Sequence, residues 1–326
     1  MRPAFSVLLL TTLIGAGQGL FLALFAVELH ALAGLLPQDD HRAFYAAGSA
    51  IALALLAAGL LASFFHLGRP ERAWRSAAQW RTSWLSREVI ALPAFMGMVA
   101  LYGLVHALGW APQVTRAPGG AALGASVVVG VAGTVLAFAL FVCTAMIYAS
   151  LRFLAEWHTP LTLVNYILLG AASGFTLAAA LAGWMEPRLV AFLSVWALIL
   201  TALGAVGRVA SLVRNARLKP KSTLQTAIGI KHPRILQTAK GFMGGSFNTR
   251  EFFHGAAAGR LRLVKHAFLW LAFVVPSALL LAGRDAAPGL WLPAAFLTQY
   301  VGLLAERWFF FAQANHPQNL YYQAVS

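Results

Sequence analysis

The chain has 326 residues, of which 60% are hydrophobic and 10% charged, with a formal net charge of +14 and a mean hydropathy of +0.73. Several apolar runs exceed the roughly 20 residues that a helix needs to cross a bilayer core, and they are apolar on all sides. This excludes a soluble globular domain and predicts an all-α polytopic membrane protein. The lone cysteine, Cys143, excludes an internal disulfide and an iron-sulfur cluster of the chain's own, which takes about four thiolates.

Eight transmembrane helices are predicted, over 5–36, 44–66, 88–110, 122–151, 161–184, 188–213, 266–283 and 290–312. The first run outlasts the apolar part of a signal peptide and has no small-residue cleavage site after it, so a removed leader is not expected. GAGQG (15–19) in the first span and GAASG (170–174) in the fifth follow no strand, so their small residues predict close helix packing and not a nucleotide loop. Glu28 and His30 lie near the far end of the first span and His106 near that of the third. A haem b between His30 and His106 would need both rings aimed at one iron, no second histidine pair supports it, and haem is not expected.

Spans two and three form a hairpin around HLGRPERAWRSAAQWRTSWLSREV, residues 66–89. Pro70 suits the first turn of a short helix, with Arg69, Arg72 and Arg75 on one face and Ala73, Trp74 and Ala77 towards the other. That predicts an interfacial element over 67–87, in which most of the arginine and tryptophan is boundary and snorkelling side chains. His66 closes one span and Glu88 opens the next, which predicts similar depth at one membrane face. A histidine and a carboxylate beside an apolar cavity can serve a quinone, the imidazole bonding a ring carbonyl and the carboxylate exchanging protons with water. The alternative is a structural hydrogen bond between the two.

Of the 24 Lys and Arg, only Arg42, Arg116, Arg188 and Arg284 fall on the side opposite the N-terminus. The positive-inside rule then places both termini in the cytoplasm. Topology and anionic lipid account for most of the basic charge, and no nucleic-acid partner is expected. They do not account for the connection over 214–264, whose mix of apolar, aromatic and basic residues predicts a partner-docking loop. Glu306 and Arg307 are adjacent, point in different directions, and are expected to pair with neighbouring helices and not with each other. Solvated or partner-contacting roles are expected of His254 and His316, and no histidine spacing suggests a metal site. Pro276 is the best candidate for the broken helix of a secondary transporter, the rival class.

FHLGRPERAW, QWRTSWLSRE, TREFFHG and AERWFFFAQANHPQNLYY together resemble the DmsC family, the membrane anchors of molybdenum oxidoreductases such as dimethyl sulfoxide reductase, and are most similar to its cytoplasm-facing sulfite-oxidising branch. The resemblance implies the non-molybdenum subunit of a three-part complex in a bacterial inner membrane. A catalytic partner carries molybdopterin, an iron-sulfur partner carries the clusters, and the anchor exchanges electrons with ubiquinone or menaquinone. It implies His66 and Glu88 as the quinone-reactive pair. Arg69 and Arg81 are lesser candidates, for stabilising an anionic quinone intermediate or contacting the partner, and Trp84 is a further expected quinone contact. A dimethyl sulfoxide reductase-type anchor oxidising menaquinol is the alternative within the family, and an NrfD-type anchor is one outside it.

Overall fold

The computed structural model describes residues 2–37, 40–110, 112–116, 122–219, 222–236, 238 and 255–320. In order they form α1 (Phe5–Leu32), α2 (Arg42–Phe64), a 3-10 helix (Pro70–Gln79), α3 (Trp84–Ala107), a small antiparallel ribbon (Gln113–Arg116 with Ala122–Gly124), α4 (Ala125–Ala149), α5 (Pro160–Met185) and α6 (Val190–Ala216). A short α7 (Leu224–Ile228), α8 (Ala258–Leu269), a π-helical turn (Trp270–Val274), α9 (Val275–Asp285) and α10 (Pro288–Ala312) follow. Most of TREFFHG, His254 and the segment 239–254 of the expected docking loop lie outside the described residues.

Among the described residues, seven helical stretches are long and apolar enough to cross a membrane: α1 to α6, and the rod that runs from α8 through the π turn into α9. The eighth expected span is the 25-residue α10, which is not among the seven. Its last turns carry Glu306 and Arg307, and it packs along α5, α8 and α9. The rod begins at Ala258, eight residues before the expected start at 266. Helix propagation continues beyond the apolar stretch while Arg260 and Arg262 stay exposed.

Helices α1 and α5 are the centre of the bundle, each 72% buried in its most apolar window against 33–39% for the other spans. GAGQG and GAASG make that possible. A methyl on Gly19 would collide with the Gly170 carbonyl oxygen, and one on Gly174 would collide with the Gly19 carbonyl carbon. The backbones therefore touch where the helices cross. Gly174→Ala is expected to wedge α1 from α5 and cost about 1–3 kcal/mol, measured as a lower melting temperature in detergent. Gly97→Ala, where an added methyl meets no atom within 4 Å, is the neutral control.

The π turn has a local cause. Pro276 lacks the N–H that would reach the Ala272 carbonyl one turn back. Gln299 of α10 donates to that carbonyl at 3.4 Å and to Thr201 Oγ1 of α6 at 3.0 Å. Gly302 brings the α10 backbone against Leu271 and Ala272. The break is thus closed by protein, unlike the cavity-lining breaks of transporters.

The middle of the bundle is apolar. Leu20, Phe21 and Leu24 of α1, Leu56 of α2, and Phe95 and Val99 of α3 have no exposed surface. The buried hydroxyls of Ser173 and Thr176 bond to carbonyls of their own helix, those of Gly170 and Ala172. Ionisable side chains gather towards the two ends.

Candidate functional site

The hairpin between α2 and α3 is built by short-range bonds. From Pro70 to Gln79 the chain is a 3-10 helix with no buried residue, and its three residues per turn stack Arg72 above Arg75. Arg69 is its N-cap residue. Trp74 and Trp80 are 71% and 53% exposed, as indoles of a membrane boundary are when only protein surrounds them. Arg75, Arg81 and Arg87 each stack on an indole, those of Trp74, Trp80 and Trp84 respectively, the last at 4.2 Å. Arg87 also donates to the carbonyls of Trp80 and Arg81 at 2.9 and 2.8 Å, which ties the loop to the start of α3. Arg87 is absent from the residues that sequence reasoning singles out.

The expected matched depth of His66 and Glu88 is corrected by the helix ends. Ser83 caps α3 by accepting from the Ser86 N–H at 3.4 Å, so α3 starts at Trp84 and Glu88 is its fifth residue, about 6 Å inside. Helix α2 ends at Phe64, which leaves His66 in the following turn. His66 is exposed and Glu88 is 6% exposed. Partial desolvation holds the His66 imidazole below its usual pKa, which favours the neutral ring at pH 7. Arg69 and Arg81 are exposed, and Trp84 is half-buried.

Glu88 is buried in the bundle. Its Oε1 accepts from Thr144 Oγ1 of α4 at 2.5 Å, and it lines a small, half-open cavity with Thr12 and Gln18 of α1, Tyr166 of α5 and Arg307 of α10. The cavity volume is about 30 Å³. That accommodates a water molecule. His66, Arg69, Arg81 and Trp84 are not on its lining.

Next to the cavity lies a buried charge cluster. Arg208 Nε of α6 meets Glu306 Oε1 at 2.6 Å, and Arg307 Nε meets Glu306 Oε2 at 2.5 Å. The pairing of Glu306 with a neighbouring helix is as expected. Its pairing with adjacent Arg307 is not: the long arginine side chain bends back and reaches the carboxylate although the two Cβ atoms diverge. The guanidinium of Arg307 stacks on Tyr166 at 4.3 Å and on Phe310 at 4.8 Å, and that of Arg208 lies over Phe268 at 5.5 Å. Arg208 is likewise absent from the sequence-based candidates. A cation inside an apolar helix, flanked by Gly204 and Gly207, is the signal that would have found it.

At the opposite end, Tyr102 donates to Glu28 at 2.7 Å and His106 Nε2 lies 3.7 Å from the same carboxylate. The His106 ring packs between Tyr45 and Tyr102, with centroids at 4.5 and 4.6 Å. His30 Nδ1 bonds the Ala26 carbonyl at 2.7 Å and its ring packs on Phe192. The two histidines thus have separate protein partners. Among the described residues, no three His, Cys, Asp or Glu side chains gather as a metal site.

The sequence that builds this bundle, its buried carboxylate and its basic boundary hairpin matches a known family. The chain belongs to the family described as DMSO reductase anchor subunit (DmsC), which matches residues 1–239. It is therefore the membrane anchor subunit of a molybdoenzyme. Over its full length the chain is similar to a sulfite dehydrogenase subunit of Allochromatium vinosum, with 54% identity over 330 residues covering 100% of both chains.

Proposed function

We propose that this chain transfers electrons between an iron-sulfur partner and the membrane quinone pool, in a complex whose molybdopterin subunit oxidises sulfite. The observation that carries the reading is the placement of Glu88, hydrogen-bonded and buried, one turn inside the helix that follows the exposed His66. Quinone, when bound, supplies two-electron chemistry coupled to protons. The chain's residues then divide the work. Neutral His66 donates to or accepts from a ring oxygen, buried Glu88 holds a proton, and Arg69, Arg81 and Trp84 border the ring's approach.

In this reading α10 is the eighth span, both termini face the cytoplasm of a bacterial inner membrane, and 67–87 is the interfacial element of the quinone site. The basic loop over 214–264 docks the partners. The full-length likeness to a sulfite dehydrogenase subunit supports sulfite over a sulfoxide as the partner's substrate. The secondary-transporter reading is disfavoured, because Gln299 and the close contact at Gly302 fill the break at Pro276.

The test is purification of the intact complex followed by assay of molybdenum, iron and bound quinone. All three are expected to co-purify with the chain. A chain that purifies without an iron-sulfur partner and carries a small solute across vesicles overturns the reading.

A further inference from the structure

The cavity behind Glu88 lies in one polar layer. Thr12, Glu88, Thr144, Tyr166, Arg208 and Arg307 each stand four to eight residues inside their helix end, which is roughly 6–12 Å. All six are towards the end of the bundle that carries the α1 N-terminus. On the cavity lining, the Tyr166 hydroxyl and the Arg307 guanidinium are buried and pair with each other. A hydroxyl and a guanidinium with one bond between them keep an O–H and N–H groups to spare, which water can satisfy. A site of about 30 Å³ with several polar walls is what one water needs.

The charges close the argument. Arg208, Glu306 and Arg307 sum to +1, and the carboxylate that Glu88 becomes on losing its proton brings the buried set to zero. The groups around Glu88 are Cys143, Thr144 and Tyr148 of α4, Tyr166 of α5, Arg307 and Glu306 of α10, with Arg208 of α6 behind them, Arg87 on its own helix, and the neutral Thr11, Thr12 and Gln18 of α1. Arg307 is the cation on the cavity wall.

We propose that the cavity is a built hydration site, in which an ordered water joins the Glu88 carboxyl to Arg307 and Tyr166, and that Arg307 is a positioning residue for Glu88. This deepens the quinone reading and rests on it for its mechanistic half. When the Glu88 carboxyl gives its proton to a reduced ring oxygen, the O–H bond to Glu88 breaks and one forms at the ring. The carboxylate left behind is held by Thr144 and by the water that Arg307 orients. The two electrons come from the iron-sulfur partner, the second proton comes from water on the exposed His66 side, and Glu88 regains its own proton through the cavity water.

A cryo-EM map of the intact complex that resolves ordered waters tests the site itself. Density between Glu88, Arg307 and Tyr166 is expected in the native complex and lost in Arg307→Met; an empty native cavity overturns the proposal. Steady-state kinetics with quinone test the role. Arg307→Met is expected to lower kcat about ten-fold with KM unchanged, and Arg307→Lys to restore most of it. Native kcat in Arg307→Met overturns the positioning role. If Arg307→Met does not assemble, Thr12→Val, which removes one hydroxyl from the wall and breaks no ion pair, is expected to lower kcat with KM unchanged; a native kcat in an assembled Thr12→Val complex overturns it equally. Full quinone turnover in Glu88→Gln with the water present refutes the quinone role of Glu88 and leaves the hydration site standing, so the two failures are distinguishable.

Discussion

Glu88→Gln and His66→Ala are each expected to lower quinone-linked turnover of the complex by about 100-fold or more, while dye-linked turnover of the catalytic partner continues. The first change keeps the shape and the Thr144 contact of Glu88 but removes its acid-base capacity. The second removes the imidazole and leaves the 3-10 helix and the Ser83 cap untouched. Loss of a positioned proton carrier leaves only unpositioned water as a substitute, which is why the expected effect is large. Assay with a soluble quinone analogue and with a redox dye on the same preparation makes the comparison. Quinone turnover within about two-fold of native in both variants would sink the assignment, a bound set well outside assay scatter.

Glu306→Gln is expected to be the most damaging change to stability, at about 3–5 kcal/mol, because it leaves two buried guanidinium groups facing each other without an anion. Arg208 is 1% exposed and Arg307 5%, so neither guanidinium is solvated by bulk water. Arg208→Met alone removes one cation and leaves the Glu306–Arg307 pair neutral, so it costs less. Adding Arg208→Met to Glu306→Gln removes the repulsion and is expected to recover much of the loss. The amount of chain in the membrane and its melting temperature in detergent are the readouts. Equal stability of native chain and Glu306→Gln would show that the ion pairs contribute nothing.

The spans are legible in the sequence because a bilayer demands long apolar runs, and most of their starts and ends differ little from the helices found. GAGQG and GAASG are legible as packing because small residues inside a span have few other uses. The depth of Glu88 is not, since it depends on which serine caps α3: Ser83 does, and the helix gains a turn before the carboxylate. For Glu306 and Arg307 the directions of the Cβ atoms predict no mutual pairing, a rule too coarse for a side chain as long as arginine. Arg208 and Tyr166 escape notice because their meaning comes from what faces them across the bundle, and one helix's sequence does not carry that.

The apolar middle of the bundle has an electrical meaning. From Gly19 to Val27, between Gln18 at one polar layer and Glu28 at the other, α1 has no side-chain nitrogen or oxygen over about 13 Å of rise. The flanking helices add Leu56, Phe95 and Val99, fully buried. Along α1 this stretch offers a proton no side-chain relay, and the nearby Ser173 and Thr176 of α5 give their hydroxyls to carbonyls of their own helix. In the proposed quinone reading, the central helix therefore insulates the polar layer at Glu88 from the one at Glu28.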